Sequence, residues 1–274
     1  MEGLGWFLPL AALAAAGLFA GFCAGMFGIG GGFVVVPAML MVLPMLGGHP
    51  AEYAHVAVGT SAATIIVASA RSVAAHAQRG AVDFAILRSW APWLVLGDAA
   101  GVVLAGYIDG RGLLLIFASG VALMSLLFLT PHLSERTISE EMPTGFSRIA
   151  IAGGLGTFSS LLGIGGGTIA ITVMTLCSRT IHRAIATASG IGIFIAVPTA
   201  IGFALIGFGR PGLPWGSVGF VNVPAAVVIS SMSVLTAPLG VAAAHGLPAA
   251  PLKRVFGAYL VIISLFMFRT ALRI

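Results

Sequence analysis

The chain has 274 residues, of which 59% are apolar and only 8% charged, and its formal net charge is +5. Soluble domains carry about a quarter charged residues, so so few charges exclude an ordinary water-covered surface and point to lipid as the solvent. The cations, 12 Arg and the single Lys253, are scattered among short loops with no basic run carrying interleaved aromatics, which excludes a nucleic-acid partner. Cys23 and Cys177 both lie in apolar stretches, without the spacing of a disulfide framework or a metal site.

Ten apolar segments follow in chain order, at about 5–27, 32–47, 53–75, 84–108, 111–131, 146–162, 166–178, 181–209, 217–245 and 252–272. The first begins Met1-Glu2, without the positive start of a signal peptide, and is read as retained. A helix needs about 20 apolar residues to cross a bilayer. The second and seventh segments are shorter, and each follows a glycine cluster, so a break within the membrane is expected at each. The polar stretch 132–145, with Glu135, Arg136, Glu140, Glu141 and Pro143, is the one clear linker. It divides a first transmembrane repeat, 1–131, from a second, 146–274.

The two halves repeat one another. Gly21-x6-Gly28-Ile29-Gly30-Gly31-Gly32 recurs as Gly156-x6-Gly163-Ile164-Gly165-Gly166-Gly167, shifted by 135. Gly80-Ala81-Val82-Asp83-Phe84 recurs as Gly216-Ser217-Val218-Gly219-Phe220, shifted by 136, and Thr60-Ser61 approximately as Ala188-Ser189. On this register Asp98 faces Val234 in the alignment and has no acidic counterpart. Five segments per half make the second half enter from the opposite side. With both termini outside, Arg71, Arg79, Arg88, Arg136, Arg148, Arg179, Arg183, Lys253 and Arg254 fall in the cytoplasm. Only Arg111, Arg210, Arg269 and Arg273 fall outside, which agrees with the positive-inside rule. The expected fold is an all-α polytopic membrane protein of two inverted five-segment repeats, its helices broken at the glycine-rich motifs. The linker is expected to be cytoplasmic.

The glycine clusters carry the main chemical signal. Adjacent glycines weaken a helix by about 1 kcal/mol each and free backbone groups that lipid cannot satisfy. The helix that restarts after each cluster, near Phe33 and Thr168, offers N–H groups at its positive end, which suits an anion. Gly28, Gly30, Gly31 and Gly32, with Gly163, Gly165, Gly166, Gly167 and Thr168, are therefore candidate binding residues. Tight packing through small residues is the alternative, and it fits Gly17, Gly21 and Gly25 well. A phosphate loop is excluded, because Phe33 and Thr168 stand where Lys and Ser or Thr are required.

Hydroxyls of Thr60, Ser61, Thr187 and Ser189 lie in segments three and eight, where they either donate to substrate oxygens or bond back to the preceding turn. Arg71 is set to pair with an anion or to snorkel to headgroups. His76 is a candidate for binding or proton carriage. Asp98 is the carboxylate deepest inside an apolar segment and is the proton-coupling candidate. His49, Glu52, His55 and His182 lack metal-ligand spacing and are expected at segment ends, exposed or interfacial. No catalytic constellation and no cofactor motif is found, which argues against an enzyme.

At Gly21-Phe22-Cys23-Ala24-Gly25-Met26-Phe27-Gly28-Ile29-Gly30-Gly31-Gly32, followed by Val34-Val35-Val36-Pro37, the chain resembles the sulfite exporter TauE/SafE family. Ala57-Val58-Gly59-Thr60-Ser61 and His76-Ala77-Gln78-Arg79-Gly80-Ala81-Val82-Asp83 are also similar to its patterns, as are Ala186-Thr187-Ala188-Ser189 and Ala237-Pro238-Leu239-Gly240. The resemblance spans nearly the whole chain. It implies a secondary transporter in a bacterial-type plasma membrane that exports a small sulfur-containing anion, such as sulfite or an organosulfonate like sulfoacetate, with or without a co-transported proton. A passive anion channel and a membrane scaffold are the alternatives. Asp98 departs from the family's small-residue pattern, so no role is carried over to it.

Overall fold

A computed structural model describes residues 2–130, 139, 141–246 and 249–273, with side chains from residue 7 and, in the last helix, from residue 254. All ten apolar segments become helices: α1 (Glu2–Phe27), α2 (Gly32–Val42), α3 (Tyr53–Ala77), α4 (Phe84–Ala105), α5 (Gly110–Leu129), α6 (Gly145–Leu162), α7 (Gly167–Leu176), α8 (Ile181–Ile206), α9 (Val223–Gly246) and α10 (Ala249–Ala271). Most of the expected linker, with Glu135, Arg136 and Glu140, lies outside the described residues, as does the Lys253 side chain.

Among the described residues, six helical stretches are long and apolar enough to cross a membrane: Phe7–Phe27, Pro50–Ala77, Gly110–Leu129, Ile181–Ile206, Val223–Gly246 and Arg254–Ala271. Helices α2 and α7 are apolar but short. Helix α4 carries Arg88 and Asp98, and α6 is rich in glycine and serine. Large apolar side chains such as Phe7, Leu96, Leu205 and Ile262 point outward, a surface that suits lipid rather than water.

The helices pair across the halves: α1 with α9, α4 with α6, α3 with α8 and α5 with α10. Small residues bring the pairs close. A side chain at Gly17, Gly21 or Gly25 would strike the backbone of α9 at Ile229, Ser233 or Ala237, and one at Gly97 or Gly156 would strike the partner backbone between α4 and α6. Gly17, Gly21 and Gly25 thus do what close helix packing asks of them. The two short helices differ. Helix α2 packs on α1, α3 and α10, whereas α7 rests chiefly on α8.

Two differences from the sequence reading stand out. The ninth segment does not start its helix at 217. Instead Ser217–Val218 (β1) pairs with Val221–Asn222 (β2) in a two-stranded antiparallel ladder, and α9 begins after it. Gly216 and Gly219, at φ 77° and 54°, set this hairpin. It inserts residues that the first half lacks between the glycine turn and the helix cap. The caps are Asp83 for α4 and Asn222 for α9, and their offset carries Asp98 onto Ala237 rather than Val234. The second difference is His55, which is buried and not interfacial. Its ring stacks on Phe220 at 4.8 Å and its Nε2 lies 3.2 Å from the Ala105 carbonyl.

Candidate functional site at the crossed glycine breaks

Helix α1 ends at Phe27 and α2 starts at Gly32, while α6 ends at Leu162 and α7 starts at Gly167. The connecting backbones have one shape. Gly28, Gly30 and Gly31 take φ of 67°, 73° and 80°, and Gly163, Gly165 and Gly166 take 61°, 69° and 69°. L side chains avoid this region, so the motif spacing is a backbone requirement as much as a packing one.

The two breaks touch. The space where a Gly32 side chain would stand holds the Gly163 carbonyl, with the Ile164 Cα 2.7 Å from the would-be Cβ. Reciprocally, the space at Gly167 holds the Gly28 carbonyl, with the Ile29 Cα at 2.7 Å. Ile65 of α3, fully buried, lies against both Gly30 and Gly165. It pins the crossing, and nothing in its apolar surroundings marked it in the sequence.

Breaking a helix in lipid leaves carbonyls to satisfy, and α3 supplies the donors. Ser61 Oγ donates to the Gly163 carbonyl at 2.8 Å and Ser72 Oγ to the Ala24 carbonyl at 3.3 Å. His76 Nε2 lies 3.2 Å from the Gly25 carbonyl. Ser189 donates back to Ile185 and lies 3.0 Å from Ser72 Oγ. Thr60 and Thr187 have matching tasks: Thr60 Oγ1 accepts from the Asn222 N–H, and Thr187 Oγ1 from the Asp83 N–H, each at 2.9 Å. The hydroxyl of each long central helix thus holds the cap of a helix from the other half of the fold. By role the partner of Thr60 is Thr187, one residue earlier than the sequence alignment put it.

Thr60 and Asn222 are both fully buried. Thr60→Val is expected to cost about 1–3 kcal/mol, the penalty for a buried N–H left without an acceptor. Thr187→Val is expected to cost less, because its bond to Asp83 is only part-buried. Thermal unfolding of the two variants in one detergent checks the order.

Three buried hydroxyls have no hydrogen-bond partner among the described residues: Ser69, Ser159 and Thr168. All three attend the second break. Ser159 Oγ lies 2.8 Å from where a Gly166 Cβ would be, Ser69 Oγ approaches Gly192 beside Gly165, and Thr168 is the second residue of α7. Repeat positions in the first half carry Ala24 for Ser159 and Phe33 for Thr168. Phe33 is fully buried under Phe256. Sequence reasoning named Thr168 but missed Ser69 and Ser159, whose serines are unremarkable until the break is folded.

A cavity of about 40 Å³ opens beside Thr168 between the ends of α1 and α5 and the helices α7 and α8. Phe27, Phe128, Ile171 and Ile185 are among its walls, with Thr168, Thr172 and Thr175 along one face of α7.

The other candidates stand apart. Arg71 is exposed on α3 and forms no hydrogen bond or ion pair among the described residues. Asp98 is fully buried on α4, accepts a hydrogen bond from Thr199 of α8 through Oδ1, and has no partner at Oδ2 among the described residues. His76 Nδ1 lies 3.4 Å from His245 Nε2, and His245 stacks on His182 at 5.2 Å. Among the described residues no three His, Cys, Asp or Glu side chains are arranged to hold a metal ion.

The chain is similar to known proteins over nearly its full length. It is 30% identical to a probable membrane transporter protein of Haemophilus influenzae, over 92% of this chain and 95% of that protein. It is 26% identical to a probable membrane transporter protein of Xylella fastidiosa, over 90% of each chain. A probable membrane transporter protein of Methanocaldococcus jannaschii is 25% identical over 95% of each. No solved structure matches. Residues 13–267 match the family described as Sulfite exporter TauE/SafE. Together with the membrane-length helices and the crossed breaks, this match shows that the chain is an integral membrane protein of the sulfite exporter TauE/SafE family, a family of transporters and not of enzymes.

Proposed function

We propose that the protein is a secondary transporter that exports a small sulfur-containing anion, sulfite or an organosulfonate such as sulfoacetate, by alternating access about the crossed glycine breaks. The observation that carries this reading is the reciprocal contact of the breaks, Gly32 on Gly163 and Gly167 on Gly28. Backbone crossing backbone without side chains lets two bodies rock about one point, and it sets helix N-termini where an anion is favoured.

The halves act as inverted repeats, first helix on fourth and third on third, a pairing that stays the same when the halves are exchanged. The candidate glycines, Thr168 and the hydroxyls of α3 and α8 line or support the site. Asp98, buried with no cation beside it among the described residues, is the proton carrier. The termini face outward and the linker lies in the cytoplasm of a bacterial-type plasma membrane.

Counterflow in proteoliposomes tests transport. Vesicles loaded with unlabelled sulfite should transiently concentrate labelled sulfite, which a passive channel does not do. Orientation has its own test. In whole cells, a membrane-impermeant maleimide is expected to label Tyr107→Cys, in the exposed turn after α4, and to leave Glu141→Cys unlabelled until the cells are opened. Labelling of Glu141→Cys alone in intact cells contradicts the orientation.

A further inference from the structure

We infer that the seat at the second break takes an organic monoanion, a short alkanesulfonate, in preference to a dianion such as sulfoacetate or sulfite in its doubly charged form. This rests on the transport reading above and, within its sulfur-containing anions, shifts the preferred substrate from the two examples named there to a singly charged sulfonate. Helix α7, ten residues long, begins at Gly167 and offers first-turn N–H groups that have no acceptor within the helix. Thr168 adds a hydroxyl that is 5% exposed, unpartnered, and part of the cavity lining.

Among the described residues no charged side chain lines that cavity. The positive end that faces it among the described residues is that of the helix, equivalent to about half an elementary charge. That suits one negative charge. A second charge buried here would meet no cation, and burying an unpaired ion is costly. The walls then decide the rest of the ligand. Phe27, Phe128, Ile171 and Ile185 are apolar, and the Thr172 and Thr175 hydroxyls already donate to the Thr168 and Ile171 carbonyls within α7, so these walls supply no free donor to a second carboxylate or to the remaining oxygens of a bare oxyanion. A sulfonate group against Thr168 with its hydrocarbon tail along these side chains satisfies both surfaces.

The first half has no equivalent seat. Phe33 replaces Thr168 there and is packed against Phe256, while the Tyr259 hydroxyl lies 3.4 Å from the Phe33 carbonyl. The substrate therefore binds on one side of the crossing rather than on its axis.

Calorimetric titration of the purified full chain with ethanesulfonate, sulfoacetate and sulfite at mildly alkaline pH tests this. Ethanesulfonate is expected to bind roughly tenfold or more tightly than either dianion. Thr168→Val is expected to weaken ethanesulfonate roughly tenfold, the scale of one hydrogen bond to a charged group, while Thr168→Ser stays within about twofold of the parent. Equal or tighter binding of a dianion overturns the inference, as does an unchanged Thr168→Val whose thermal stability matches the parent. Counterflow separates the two levels. If vesicles exchange sulfite and ethanesulfonate does not compete, the monoanion seat falls and the transport reading stands. If none of the three anions exchanges, the transport reading falls and takes the seat with it.

Discussion

Gly32→Ala and Gly167→Ala are each expected to abolish transport and to destabilise the protein by roughly 3 kcal/mol, the upper end for overpacking a tight core. Both residues have helical backbones, so alanine is conformationally acceptable, and the penalty comes from space alone. The added methyl meets the opposite break's carbonyl and Cα, which are backbone atoms and cannot turn aside as a side chain would. Either the crossing is pushed apart or one break unwinds. Gly154→Ala is the control. A methyl there meets nothing within 4 Å, and the exchange should gain up to about 1 kcal/mol of helix propensity with transport unchanged. Counterflow and thermal unfolding of the three variants give both readouts.

Asp98→Asn is expected to remove proton-driven accumulation while leaving substrate exchange intact. Asparagine keeps the oxygen that accepts from Thr199 and nearly the same shape, so the α4–α8 contact should survive. It cannot give up or take a proton. A carboxylate fully buried within an apolar helix, with one oxygen free of any partner among the described residues, is a costly residue to retain for packing alone. An imposed pH gradient across proteoliposomes should load the parent protein and not the variant, whereas both should show counterflow. Equal gradient-driven loading removes Asp98 from coupling.

The ten helices were legible because lipid demands long apolar runs, and apolar runs are visible without an alignment. The breaks were legible as well, since three glycines in a row have little other use in a membrane helix. Their interlocking was not. It depends on which backbone fills the space beside Gly32 and Gly167, and glycine carries no side chain to signal its partner. Ile65 was hidden for the opposite reason, as one apolar residue among many. Ser61 and His76 could be named as polar residues in apolar surroundings, but not that they would meet the freed carbonyls of Gly163 and Gly25. The hairpin at 217–222 shifted the register of α9, so a constant offset between the halves misplaced the counterpart of Asp98. Asn222 went unnoticed because its role, capping α9 while bonded to Thr60, requires that hairpin.

The two halves hold their short helices differently. Helix α2 is held by α1, α3 and α10, and α7 chiefly by α8. Of the two helix starts at the crossing, that of α7 is the less covered and the richer in free hydroxyls.

The most direct test of the substrate's location is a crystal structure with 2-bromoethanesulfonate, read at the bromine absorption edge. One anomalous peak is expected in the cavity beside Thr168, with the sulfonate at the start of α7 and the bromine toward Phe27 and Phe128. A peak at the His76–His245 cluster instead, with none at the crossed breaks, would contradict the assignment of substrate to that crossing.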